Sequence, residues 1–516
     1  MIASSRISAL VSAGLGFALC LSAFGQQTPI VPNAASSSSL PRLIVSAQNL
    51  HYLATESGAP FFLNADTAWR LGVQIPRDQV PSYLAKRKAQ KFNAVAFLAA
   101  APPDTERQPV EKRFVGNIYG DAPFQSVKRR WAPAQPLTTP GDDPNNPDAY
   151  DYWDHIDFVV DQVERAGLYA ILLPTWGSTV AGNHDGKVTA EIIFNKENAY
   201  AYGNWIGRRY AHRTHVIWML GGDRSAVYGD LDYRPVFRAM AEGIADGVNG
   251  LSQPDGQADW STTLMSYHPR KLHPNSSEWF HRDGWLDFNS IQEWPEDQIA
   301  AIAHDFALEP AKPTCLLEGR YEGYYKGGYK PEQWGAWQTR YQAYQSVFAG
   351  GFGHTYGHER VFGFGQDGAD WRQALEAPGA RQMQHLYALM TSLAPGEFFS
   401  RIPDQDLIVG DAGAAQRLKS SRLQATRGSR GDYAMIYSAN GRNIRARMDR
   451  LTAPSVDAFW FNPRNGRWRV DAVESPQRRP FATKIPSGPQ APDHEFDPPA
   501  SSAEGNDWVL VLRAAE

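Results

Sequence analysis

Cysteine is almost missing from this chain: Cys20 and Cys315 are the two in 516 residues. Cys20 lies in an N-terminal leader, so an exported form keeps one thiol and no internal disulfide. Its stability must then come from the size of its core. An excess of positive charge is also missing. Lys and Arg number 51 against 55 Asp and Glu, for a net charge of -4, which leaves no basic footprint for nucleic acid. Past the leader no apolar run is long enough to span a bilayer, so no membrane insertion is expected. The signatures of several enzyme classes are lacking too. His358-Glu359 runs on into RVFGF without the second histidine of a zinc-protease helix. There is no GxSxG elbow and no P-loop, and the glycine-rich GFGHTYG and GRYEGYYKGG do not have dinucleotide-binding spacing. His268 and His273, five apart in a Pro-containing loop, make only a weak metal pattern. The expectation is an activity that uses no metal and no cofactor.

What is present begins with the leader. Arg6 precedes the apolar ISALVSAGLGFALCLSAF, and Ala23-Phe24-Gly25 is a small-x-small cleavage site. Residues 1–25 are read as a signal peptide, with a periplasmic or extracellular destination, and residues 26–41 as a Gln/Pro/Ser linker. After it, short apolar runs alternate with amphipathic stretches. Eight candidate strands are PFFLNAD (60–66), NAVAFLAA (93–100), YAILLPT (169–175), HVIWMLGGD (215–223), STTLMSYH (261–268), FNSIQE (288–293), PTCLLEG (313–319) and GGFGHTYG (350–357). Helical patterns lie between them, with Asp151 and Asn195 at N-cap positions and Gly167 at a C-terminal one. This alternation predicts an α/β fold, a (β/α)₈ TIM barrel over residues 42–395. From residue 396 to 516 helical periodicity stops. DLIVG, RLQATRG, YAMIYS, AFWFNPRNGRWRV and DWVLVLR, with Asn440-Gly441 and Asn465-Gly466 turns, predict a small β-sandwich.

In such barrels the chemistry sits at the carboxyl ends of the strands. Those ends supply Asp66 with Trp69 (strand one), Trp176 (three), Asp223 and Arg224 (four), and His268 (five). Gln292 ends strand six, Glu318, Tyr321 and Glu322 follow seven, and His354 and Tyr356 lie in eight. A ring of polar groups that must be desolvated together is costly without a purpose. Acids at strands four and seven suit glycoside hydrolysis, which needs a proton donor for the departing oxygen and a second carboxylate at the anomeric carbon. Asp223 is assigned as acid/base and Glu318 as the second carboxylate, a nucleophile, with Glu322 its rival. Arg224 can hold a carboxylate or a substrate acid. Asp66 either binds sugar hydroxyls or orders its own loop. His268, His354 and Tyr356 are donors to substrate or packed residues. Trp69 and Trp176 are stacking platforms or core. The separation that distinguishes retention from inversion, the glycone, the linkage and the oligomeric state are not readable. The other class of reading is a non-catalytic carbohydrate- or matrix-binding protein on a barrel scaffold.

FFLNADTAWRLGVQIPRDQVPSYLAKRKAQKFNAV resembles the opening of the apiosidase-like glycoside hydrolases (glycoside hydrolase family 140). VIWMLGGDRS, SYHPRKLHPNSSEWF, CLLEGRYEGYY and GGFGHTYGH resemble the same family's strands four, five, seven and eight. The resemblance implies a glycosidase of plant cell-wall polysaccharide, acting at apiose in side chains of rhamnogalacturonan II. It implies an Asp and Glu pair that falls on Asp223 and Glu318. The chain departs from the family pattern at strand six, where IQEWPED replaces a Gln-Ser-Gly-His segment, and at strand seven, where Leu-Glu-Gly replaces Gly-Glu-Pro. The sandwich is similar to a domain, often found after such barrels, that has been labelled collagen-binding.

Overall fold

The computed structural model describes residues 39–101, 116–127, 130–184, 187–188, 192–270, 275–324, 334–365, 370–416 and 418–515. The expected signal peptide, most of the linker, and His273 lie outside them. Ser39 to Glu516 form one compact unit.

Eight parallel strands make the central sheet. They are β1 (Leu63–Thr67), β2 (Ala94–Ala100), β3 (Tyr169–Thr175), β4 (Val216–Gly221), β5 (Met265–His268), β6 (Asn289–Gln292), β7 (Thr314–Glu318) and β8 (Gly353–Tyr356). Their spatial order is β5-β4-β3-β2-β1-β8-β7-β6. Side chains and main chain together close the seam between β5 and β6. Asp287 N–H donates to Met265 O (2.9 Å), Met265 N–H to the Asp287 carboxylate (2.7 Å), and Ser266 Oγ to Phe288 O (2.5 Å). Strands β2, β3 and β4 are buried along their whole length, as parallel strands covered on both faces must be, and hence read as unbroken apolar runs. One expected strand is divided. Pro60–Phe61 leaves the barrel and pairs antiparallel with Leu53–Thr55, because Phe62 breaks the ladder before β1.

The longer helices outside are α1 (Val80–Ala89), α2 (Tyr152–Arg165), α3 (Lys196–Arg209), α4 (Arg234–Val248), α5 (Pro295–Phe306), α6 (Ala336–Phe348) and α7 (Pro378–Thr391). The two expected N-caps form capping boxes. Asp151 receives N–H groups of α2 while Asp154 reaches back, and Asn195 and Asn198 do the same on α3. Gly167 follows α2 with φ of 69°. Among the described residues no helix is long and apolar enough to cross a membrane.

The C-terminal strands form an antiparallel sheet. Its members include β9 (Leu423–Gly428), β10 (Tyr433–Ser438), β11 (Ser455–Asn462), β12 (Arg467–Val470) and β13 (Trp508–Ala514), in the order β9-β10-β13-β11-β12. One face packs on Ile444, Met448 and Phe496 through Ile436, Trp460 and Leu510. The other face, carrying Met435, Tyr437, Phe459, Phe461, Val509 and Val511, joins the core of the barrel. Helix α6 is the contact. Arg340 makes a two-pronged pair with Asp507 (2.8 and 2.6 Å), Tyr344 stacks on Tyr437 with centroids 4.9 Å apart, and Trp337 Nε1 donates to Ala439 O (2.7 Å). Arg401 donates to Val347 O and Gly351 O (2.6 and 2.7 Å), satisfying carbonyls at the end of α6. Two expectations differ here. DLIVG begins in a 3₁₀ turn (Gln405–Leu407) and makes only an isolated bridge, Ile408 to Ala446, and Asn440-Gly441 joins strands that do not pair with each other. Asn465-Gly466 does close the β11–β12 hairpin.

Candidate active site

The run after β4 shows why Gly-Gly-Asp ends that strand. Gly221, Gly222 and Asp223 have φ of 82°, 124° and 51°. A Cβ on Gly221 would sit 2.5 Å from His268 O, and one on Gly222 would sit 2.6 Å from the Trp176 ring. Glycine is therefore required twice, by conformation and by space. Asp is among the few side chains that tolerate the left-handed third position. The strand thereby turns sharply and leaves the Asp223 side chain at the cleft, 30 % exposed.

Glu318, at the carboxyl end of β7, stands in the same cleft with its side chain 12 % exposed. Both of its oxygens are held. Tyr321 OH donates to Oε1 (2.6 Å), and His268 Nε2 lies 2.8 Å from Oε2. Tyr321 OH in turn accepts from Trp69 Nε1 (2.7 Å). Burial pushes the Tyr321 phenol well above its ordinary pKa, so it stays protonated and donates. The other ring nitrogen of His268, Nδ1, lies 3.2 Å from the Asp223 backbone N and 2.9 Å from Pro269 O. One imidazole thus sits between the main chain of Asp223 and the carboxylate of Glu318. Trp69 and Trp176 lean on it edgewise, with centroids 5.3 and 5.5 Å away.

The cleft is open to solvent on one side. Trp69, Trp176, Asp223, Gln292, Glu318 and Tyr321 line it, so the structure brings together six of the residues expected at strand ends. His268 lies beneath, fully buried, contacting Glu318 instead of a sugar. Arg224 is also buried, and its guanidinium turns back to Asp223, donating to the Asp223 carbonyl (2.8 Å).

Four expected residues lie elsewhere. Asp66 is fully buried and bound by Arg87 Nε (2.7 Å) and Tyr83 OH from α1. It fixes that helix to β1 and meets no substrate. Glu322 is buried too. It accepts from Tyr356 OH (2.7 Å) and from Gly379 N–H (3.0 Å) at the start of α7, which makes it a helix anchor and not a rival nucleophile. Tyr356 is spent on that bond. His354 is fully buried, makes no hydrogen bond among the described residues, and is pushed down to about 3 by burial, so it packs as a neutral ring. The cleft also contains Glu293 and Arg320, expected at the ends of strands six and seven, and Trp294, Tyr324, Glu359 and Phe362, which were not singled out. Glu293, Trp294 and Arg320 adjoin strand ends already named, so their proximity was readable. Glu359 comes to the cleft because Glu322 and His358 pair as a short parallel bridge beyond β7 and β8, which no local pattern signals.

The model of the apiosidase-like catalytic domain matches residues 47–395, and the family named for a collagen-binding domain of a collagenase matches residues 402–513. No curated protein matches the chain. Among solved structures, one described simply as a glycoside hydrolase is 27 % identical with a TM-score of 0.72, over 92 % of this chain and 97 % of that one. A glycoside hydrolase family 5 structure from Bacteroides vulgatus is 28 % identical with a TM-score of 0.70, over 92 % and 93 %. The family match spans the barrel and its cleft, and it sets aside the non-catalytic reading: the chain belongs to the apiosidase-like family and is a glycoside hydrolase.

Proposed function

We propose that Glu318 is the nucleophile and Asp223 the acid/base of an exported glycosidase that acts on pectic polysaccharide at apiosyl residues. The observation that carries this is the clamp on Glu318. A carboxylate with a protein partner on each oxygen is held in one position with neither oxygen free to hand a proton to the leaving group, which suits attack and not proton donation. Asp223 stands in the same cleft on a rigid turn and takes the other role. In the first step Asp223 gives its proton to the departing glycosidic oxygen as Glu318 bonds to the anomeric carbon. In the second, Asp223 takes a proton from water as that water displaces Glu318. A net retention of configuration is the expected outcome. The family description supports the apiose specificity, and the leader at residues 1–25 supports export.

The test uses purified protein and aryl apiosides with good and poor leaving groups. Glu318→Gln should be inactive on both. Asp223→Asn should lose about 10²- to 10⁴-fold on the poor leaving group and far less on the good one. Full activity of either variant on the poor leaving group would remove the pair. Inversion, read by NMR of the first-formed product, would reassign Glu318 as a base.

A further inference from the structure

A second concavity lies at the opposite end of the barrel, where α1 and α2 finish. It is an open groove that borders Phe92 and Asn93, which directly precede β2. The cleft lies at the carboxyl ends of the strands, so the two do not share a wall. Lys88, Lys91 and Arg165 are exposed along this groove, and among the described residues no acid lines it. The half-buried Gln162 and Tyr387 add neutral hydrogen-bonding groups, and Tyr387 adds an aromatic face.

The placement of these cations is only partly explained by the helices. Helix C-termini attract positive charge, which accounts for Arg165 in the last turn of α2 and for Lys88, whose Nζ donates to Gly167 O (2.6 Å). Lys91 is different. Both helices end in the same turn. After α2, Gly167 N–H bonds Glu164 O (2.8 Å) and Leu168 N–H bonds Val163 O (3.0 Å). After α1, Lys91 N–H bonds Lys88 O (2.9 Å) and Phe92 N–H bonds Arg87 O (3.1 Å). The left-handed position is Gly167 in one, with φ of 69°, and Lys91 in the other, with φ of 67°. Glycine takes that conformation without penalty and lysine does not. A cation therefore occupies a position that the backbone would give to glycine, beside two other cations, in a chain whose net charge is negative. Burial and the neighbouring Lys91 push the Lys88 ammonium below its ordinary range, a sign of like charges held together. On the same helix, Asp161 pairs with Arg213 (2.5 Å) and also feels the charge of Arg165.

We infer that this groove is a second, non-catalytic carbohydrate site that holds an acidic polysaccharide by its uronate carboxylates. Such a chain supplies anions at regular spacing, hydroxyls for Gln162 and Tyr387, and an apolar ring face for the tyrosine. The choice of a pectic acid as ligand rests on the substrate proposed above. The charge of the groove does not.

The test is affinity electrophoresis of the full-length protein in gels containing polygalacturonic acid, neutral galactan, or poly-L-glutamate as a charge-matched non-sugar. Glu318→Gln is run alongside, so that retention is read without hydrolysis of the gel, and the groove variant below separates retention in the groove from retention in the cleft. Retention by polygalacturonic acid above the other two, unchanged in Glu318→Gln, is expected. Lys91→Ala/Arg165→Ala should weaken it about tenfold while hydrolysis of a small aryl glycoside stays at the parental rate. That second readout also shows that the variant is folded. Equal retention by poly-L-glutamate, or retention untouched in the double variant, would overturn the site. If the protein cleaves no pectic glycan yet shows this retention, the proposed substrate fails and the groove stands.

Discussion

Tyr321→Phe removes one hydroxyl and nothing else. That hydroxyl donates to Glu318 Oε1 at 2.6 Å and accepts from Trp69 Nε1 at 2.7 Å. A hydrogen bond to a charged group contributes about 1.5–3 kcal/mol. If the bond holds Glu318 in its attacking position, its loss raises the barrier by a similar amount, or roughly 10- to 150-fold in rate. The fall should appear in kcat, because Tyr321 grips the carboxylate and contributes little to holding the rest of the sugar. Separately, Trp69 Nε1 loses its acceptor in a buried setting, which costs about 1–3 kcal/mol of unfolding free energy. The assay is kcat and KM on an aryl glycoside, with urea denaturation on the same preparation. His268→Gln and the double variant complete a cycle. Two donors on one carboxylate should couple, so the double loss should differ from the product of the single ones. A folded Tyr321→Phe protein with kcat within threefold of the parent would refute the idea that the clamp positions Glu318.

Three further outcomes follow from residues outside the cleft. Glu322→Gln should keep near-parental kcat while losing about 1–3 kcal/mol of stability, because Glu322 anchors α7 through Tyr356 and Gly379; loss of kcat in a stable protein would return it to the site. Arg340→Met leaves Asp507 buried beside Tyr437 and should cost about 3–5 kcal/mol in urea melts, most of it recovered in Arg340→Met/Asp507→Leu; a cost under 1 kcal/mol would contradict the packing. His354 is held at about 3 in the fold against 6.5 when unfolded. The unfolded chain thus binds the extra proton, and its contribution is complete above pH 6.5 and lost as pH falls toward 3. By pH 5 the loss is about 2 kcal/mol, and the difference between parent and His354→Leu melts at pH 7 and pH 5 should show it.

The barrel was legible because its strands are buried on both faces and so stand out as apolar runs between amphipathic helices. The meeting of Asp223 and Glu318 in one cleft was legible because strand ends mark the mouth of the barrel. What failed was direction. Asp66 and Glu322 lie at or just beyond strand ends as Glu318 does, but whether a strand-end side chain meets the cleft or the helix layer depends on partners 21 or 57 residues away, Arg87 and Gly379, and His354 proves to lie near the start of β8. No spacing rule supplies those. The lower groove was missed for the opposite reason: it depends on two helix ends that meet only in space.

The C-terminal sheet spends both of its faces, one on its own strands and one on α6. A gene rearrangement that carried it to another enzyme would deliver an oily surface without its match. Exchange between lineages is therefore expected to move barrel and sheet together, as a single heritable piece, and a copy of the sheet found alone should bear polar substitutions where Met435, Tyr437, Phe461 and Val509 now stand.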